Sequence, residues 1–192
     1  MPKLVEIADI SIGYTSRKGI DTTPQGSNYL LQAKDVDGET RTYRLGSLVR
    51  FSPASSTQSS SLKKDDIVFM ARGSRNFSVL MSEVPEGMVA AACFFLIRLR
   101  NKAVFPAYLA WFLNTEGARN YFARHTGKGV HMSVVRRATL ENLEVLIPSL
   151  ERQKRIAELN SLARQEQSLL EELQKKRALL VERACAQVIK NK

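Results

Sequence analysis

From Ser149 to Lys192 the chain carries no Gly and no Pro, and its apolar residues recur at helical spacing. Leu159, Leu173 and Leu180 fall at position a of a heptad, Leu162 and Leu169 at d, and Ile156, Ala163, Leu170 and Ala184 widen the stripe at e. At 1.5 Å per residue, a helix of about forty residues spans roughly 60 Å. A compact domain of this size is narrower than that, so the stripe needs a partner helix. The pattern therefore predicts a spacer or assembly element. Its dimerisation contacts are Ile156, Leu159, Leu162, Leu169, Leu173 and Leu180.

Upstream the pattern changes. All ten glycines lie at or before Gly129. Short runs of strand character cover Lys3–Ile12, Tyr43–Phe51, Asp66–Ala71, Phe77–Ser82 and Val89–Leu99. The last is almost continuously apolar, as suits a strand buried on both faces, and Glu86-Gly87 before it signals a turn. The Ser-rich stretch from Ser52 to Ser61 has no apolar periodicity and reads as a surface loop. Pro106 opens a helix through Tyr108, Leu109, Trp111 and Phe112, and Thr115 caps a second helix with Ala118, Tyr121 and Phe122. Their helical spacing makes these aromatics core residues. A basic, Gly-containing loop follows, and Leu140–Pro148 reads as a strand leading to the long helix.

Charge adds a preference for polyanions. The 192 residues carry a net charge of +10, of which the segment from Glu151 onward holds +4, so the excess is spread over both parts. Two cysteines, Cys93 and Cys185, form neither a disulfide framework nor a metal spacing, which fits a reducing cytoplasm. No signal peptide is apparent at the N-terminus, and the longest apolar stretch, Met88–Ile97, is too short to span a bilayer.

Motifs for catalysis are missing. The two histidines, His125 and His131, stand six apart without a carboxylate or cysteine cluster. There is no Glu-x-Lys triplet of metal-dependent nucleases, no adjacent prolines as in the Asn-Pro-Pro-aromatic loop of amino-group DNA methyltransferases, and no Gly-x-Gly-x-x-Gly, P-loop or Gly-x-Ser-x-Gly. Three basic, small-residue loops remain. They are Ser16-Arg17-Lys18-Gly19, Ala71-Arg72-Gly73-Ser74-Arg75-Asn76, and His125 to Ser133 with Arg136 and Arg137 after it. Arg fits the guanine O6/N7 edge and Asn the adenine edge, while Ser, Lys and glycine-adjacent N–H groups suit phosphates. The candidate DNA-binding residues are Arg17, Lys18, Arg72, Ser74, Arg75, Asn76, Lys128, His131, Ser133 and Arg136. No catalytic and no metal-binding residue is assigned.

These residues also carry a family likeness. Leu62-Lys63-Lys64-Asp65-Asp66-Ile67-Val68-Phe69-Met70-Ala71-Arg72-Gly73 resembles a segment of the target-recognition domains in specificity (S) subunits of type I restriction–modification systems. Pro106-Ala107-Tyr108-Leu109-Ala110-Trp111-Phe112-Leu113 is similar to that family's Pro-x-Tyr-Leu-x-Tyr-Phe-Leu helix. Thr126-Gly127 through Met132, then Leu140 to Pro148, resemble its closing loop and strand. Ile147-Pro148-Ser149-Leu150-Glu151-Arg152-Gln153-Lys154-Arg155-Ile156 resembles the Ile-Pro-x-Pro-x-x-x-Gln-x-x-Ile start of its spacer helix. Leu150 stands where the family has Pro, and Asp65 where it has Gly.

The resemblance implies an α/β (α+β) target-recognition domain over residues 1–148, then a spacer helix over 149–192 that forms an antiparallel coiled coil. Typical S subunits have two of each, so this chain resembles a half-length form. The implied partners are double-stranded DNA, the methyltransferase (M) and restriction (R) subunits, and a second copy of the chain. No cofactor is implied on this chain. S-adenosylmethionine, ATP and Mg2+ would sit on the partner subunits. The other readings are an S-like assembly or regulatory protein without base-specific reading, and a stand-alone nuclease.

Overall fold

The computed structural model describes residues 1–16, 19–73, 75–126 and 133–190, with Ser133 and Lys190 described for the backbone alone. The chain divides into two compact units, Met1–Lys154 and Arg155–Lys192.

The first unit opens with one helical turn, α1 (Leu4–Ile7), and strand β1 (Ala8–Ile12). The run expected to be a single strand splits here, because Leu4 and Ile7 are both buried at helical spacing before alternation begins. β2 (Asn28–Leu31), β3 (Val36–Asp37) and β4 (Thr42–Tyr43) follow. A 3-10 turn at Leu45–Ser47 then breaks the expected Tyr43–Phe51 strand and leaves β5 (Val49–Phe51). β6 (Ile67–Met70), β7 (Arg72–Gly73) and β8 (Ser78–Leu80) come next, then β9 (Met88–Ala90) and β10 (Phe94–Leu99). Helices α2 (Pro106–Phe112) and α3 (Glu116–His125) lead to β11 (Ser133–Val134), α4 (Arg137–Glu141) and α5 (Leu150–Lys190).

One sheet has the order β1-β10-β6-β8, antiparallel throughout. A second has the order β5-β2-β9, in which β2 and β9 are parallel. The apolar run from Val89 to Leu99 therefore serves two sheets. A turn at Ala91–Phe94, closed by the Phe94 N–H on the Ala91 carbonyl at 3.0 Å, carries the chain between them. No polar residue marks the break, because both strands are buried on both faces. Gly13 lets the backbones approach there: a Cβ at this position would lie 2.0 Å from the Ala91 carbonyl oxygen. Gly87, at φ +75°, supplies the left-handed turn before β9 that Glu86-Gly87 signalled.

Helices cover the four-stranded sheet. Phe122 of α3 sits 4.9 Å from Phe69 of β6, ring centre to ring centre. Tyr108, Leu109, Ala118 and Phe122 are buried core residues, while Trp111, Phe112 and Tyr121, also expected in the core, are half-buried. Thr115 caps α3 by accepting the Ala118 N–H. Asn114, just past α2, accepts the Ser78 N–H at 3.0 Å and donates to the Ser78 carbonyl at 2.9 Å, so the edge strand β8 is closed by a side chain. Leu140–Pro148 is not a regular strand. Leu140 and Glu141 belong to α4, Asn142 caps it, and the chain from Leu143 on is tied to the N-terminus by Leu4 N–H to Leu143 O and Val145 N–H to Pro2 O, both 2.9 Å.

The first turn of α5 belongs to this unit. Gln153 is fully buried; its carbonyl accepts the Phe105 N–H at 2.7 Å and its amide donates to Ala103 O at 2.9 Å and Pro148 O at 2.8 Å. Tyr108 donates to Leu146 O at 2.6 Å. Two of the motifs singled out in the sequence are thereby fastened to each other.

The second unit is the rest of α5. Its leucines are open to solvent: Leu159 is 67% exposed, Leu173 62% and Leu180 69%. Glu172 and Lys176 pair at 2.6 Å, one helical turn apart.

Candidate nucleic-acid interface

Asp66 anchors the strand that leads to the Arg72 loop. Its carboxylate is 2% exposed and takes a two-pronged pair from Arg98, at 2.7 Å from Nε and 2.6 Å from Nη2, plus the Lys63 N–H at 2.7 Å. The partnership raises the Arg98 guanidinium further above its ordinary range. Asp65 beside it adopts φ +69°, a left-handed conformation, which accounts for glycine at this point of the family pattern.

β6 then delivers the chain to a short ribbon. β7 pairs antiparallel with β11, Arg72 opposite Val134 and Gly73 opposite Ser133, and the Val135 N–H on Ala71 O at 2.9 Å extends the pairing. Arg72 and the segment of Arg136 are thus side by side, and both arginines are exposed. Arg75 follows, 72% exposed at its side chain, with Glu39 at 3.5 Å. That distance and exposure make a weak pair, released at little cost. Asn76 has a different employment: its amide nitrogen donates to Met70 O at 2.9 Å and Ala71 O at 3.3 Å, fastening the loop.

Two clefts meet at Arg75. One, of about 520 Å3, is lined by Arg72, Arg75, Glu39, Met70 and Phe77 among others. The other, of about 380 Å3, brings Arg41 and Arg119 to Arg75, with Asn76, Phe122 and Thr126. Arg41 has φ +57°, and its guanidinium lies 5.0 Å over the Phe77 ring. Four arginines thus flank one short ribbon. Sequence reading missed Arg41 and Arg119. Arg41 lies thirty-odd residues upstream of the loop it joins, and Arg119 looks like any exposed helix residue. The positive φ at Arg41 has no signature in its side chain.

Arg17, Lys18, Ser74, Lys128 and His131 lie outside the described residues, and Ser133 is placed by its backbone alone. Burial pushes the Cys93 thiol up, away from the thiolate needed for nucleophilic chemistry. Among the described residues, no His, Cys, Asp and Glu side chains gather into a group that could hold a metal ion, and no helix is long and apolar enough to cross a membrane.

The chain thus combines a mixed-sheet domain with helices on one sheet, an arginine-flanked ribbon and one long C-terminal helix. Residues 3–177 match the family described as type I restriction modification DNA specificity domain, and the chain belongs to that family. The fold agrees. The HsdS subunit from Thermoanaerobacter tengcongensis superposes with a TM-score of 0.60 at 17% identity, over 90% of this chain and 39% of that one. A chain from a structural study of complex assembly and conformational transition in the type I R-M system gives 0.66 at 16% identity, over 95% and 42%. The type I S subunit from M. genitalium gives 0.52 at 15%, over 83% and 37%. This chain thus spans about two fifths of the length of each of these structures. No curated protein matches the sequence.

Proposed function

We propose that this chain is a sequence-specific DNA-recognition subunit of a type I restriction–modification system, built as one recognition domain and one spacer helix. Two copies pair through antiparallel spacer helices and read a bipartite site of two inverted half-sites. The chain directs the methyltransferase and restriction subunits to that site in the cytoplasm and performs no catalysis itself. S-adenosylmethionine, ATP and Mg2+ act on those subunits.

The observation that carries the DNA-reading part is the convergence of Arg72, Arg75, Arg41 and Arg119 on two clefts beside the β7–β11 ribbon. Arginine forks there suit both base edges and phosphates. Duplex retardation measured with the methyltransferase partner tests it through Arg75→Ala and Arg119→Ala. Removing an arginine that reads a base costs about 1–3 kcal/mol and relaxes preference at one position. Removing one that holds a phosphate weakens all duplexes alike and flattens the salt dependence by about one unit of slope. Wild-type binding with no sequence preference, unchanged in both variants, contradicts the reading.

One observation favours the second reading, an assembly or regulatory protein without base reading. Asn76, the residue best suited to adenine, spends its amide nitrogen on the backbone. In that case the variants leave assembly and every measured binding constant as they were.

A further inference from the structure

We infer that α5 pairs with α5 of a second copy in one particular antiparallel register, with Glu166 facing the partner's Lys176 and the two-fold axis crossing the pair at Glu171. The inference rests on the self-pairing proposed above and adds to it the alignment of the two helices.

The helix stripe is not uniformly apolar. With Leu159 at a, the a positions run Leu159, Glu166, Leu173 and Leu180, and the d positions run Leu162, Leu169, Lys176 and Arg183. One acidic residue and two basic residues therefore stand in the seam. Polar seam residues specify orientation and register at some cost in stability. A parallel, in-register pair sets Glu166 on Glu166, Lys176 on Lys176 and Arg183 on Arg183, so like charges meet in three layers. An antiparallel pair sets a against d, and its possible registers differ by whole heptads.

In the register proposed, Glu166 meets the partner's Lys176, Leu173 meets the partner's Leu169, and Leu180 meets the partner's Leu162. A shift of one heptad in either direction puts Lys176 against a leucine. One shift sets it on Leu159 and leaves Glu166 on Leu169. The other sets it on Leu173, with Leu162 on Gln187, although Glu166 then meets the partner's Arg183. The central register makes one opposite-charge couple and two leucine couples and leaves Leu159 on the partner's Arg183; each shifted register makes one leucine couple and sets Lys176 on a leucine.

The flanks agree. Leu170, at e and exposed, meets the partner's Leu170 beside the axis. On the other flank, at g, the two Glu172 side chains approach each other, a like-charge contact offset by each one's own Lys176 at 2.6 Å. Lys176 thus bridges Glu172 of its own helix and Glu166 of the partner. On the opposite face Gln167 and Glu171 bond to each other at 2.9 Å and stay in solvent.

The register sets the reach of the pair. The two copies of Arg155 lie roughly 48 Å apart along the axis, and each heptad of slippage changes this by about 10 Å.

The test is sedimentation of the full chain carrying Glu166→Lys, Lys176→Glu, or both. Circular dichroism serves as the folding control, since all the changes fall on exposed helix positions. Each single reversal is expected to raise the dimer dissociation constant about tenfold or more, and the double reversal to bind more tightly than either single, short of wild type because Glu172 loses its own Lys176. Leu170→Cys in a Cys185→Ser background is expected to cross-link to itself with a short bis-maleimide. A wild-type dimer whose double reversal is no better than the singles, and whose Leu170→Cys form does not cross-link, overturns the register and leaves self-pairing standing. A wild-type monomer at high concentration overturns self-pairing, and the register with it.

Discussion

Gln153 is the most heavily used polar side chain at the start of the spacer helix. Its one carbonyl and one amide group serve three backbone partners from two other segments. Gln153→Ala is expected to cost about 2 kcal/mol of unfolding free energy, since it strands the Phe105 N–H and two carbonyls; urea titration measures it. Asp65 gives the opposite expectation. Its left-handed backbone costs an L-residue about 1 kcal/mol, so Asp65→Gly is expected to raise stability by up to roughly that amount, read as a higher Tm. Both residues were visible in the sequence as positions in a pattern, Gln153 as a match and Asp65 as a departure. Their work was not visible. The partners of Gln153 include residues about fifty positions away, and φ at Asp65 is a property of the turn before β6. Asn76 shows the same limit from the other side: its chemistry suited a base, while Met70 and Ala71 took its amide.

Element by element, legibility followed how locally each segment is determined. α2 and α3 could be read because proline and threonine mark their starts and aromatics mark their buried face. β6 and β8 could be read from short apolar runs. The split between β9 and β10 could not, since two sheets bury the run without a polar residue between them. β2 escaped notice because its first two residues, Asn28 and Tyr29, are polar and half-buried, which leaves only Leu30-Leu31 as an apolar signal. α5 was the plainest of all, and its stripe is exposed along the second unit. Replacing Leu173 and Leu180 together by Glu is expected to abolish self-association, because two carboxylates would have to be buried in an apolar seam. Sedimentation that still shows a dimer would mean the stripe is not the contact surface. The recognition domain's Tm should be unchanged in the same variant, since both side chains are exposed in the single chain.

At the scale of the whole molecule, this basic chain spans about two fifths of the length of the structures it resembles. In the self-pairing proposed above, symmetry would supply a second such domain, and the arginine-flanked ribbon would appear twice. Symmetry makes a strict demand on the DNA: the two half-sites must be the same sequence, inverted, at one fixed gap. Of the candidate interface, the Arg72–Asn76 loop and the Arg136 segment were legible from composition. Arg41 and Arg119 were not, because a cleft gathers residues from distant segments, and no local pattern marks them. The measurement that bears most directly on the central claim is selection of bound duplexes from a random library by the chain with its methyltransferase partner. The account predicts enrichment of one inverted, gapped repeat, abolished by substitution of Arg75 and Arg119. Enrichment of no sequence, or of a single site without inverted symmetry, would contradict it.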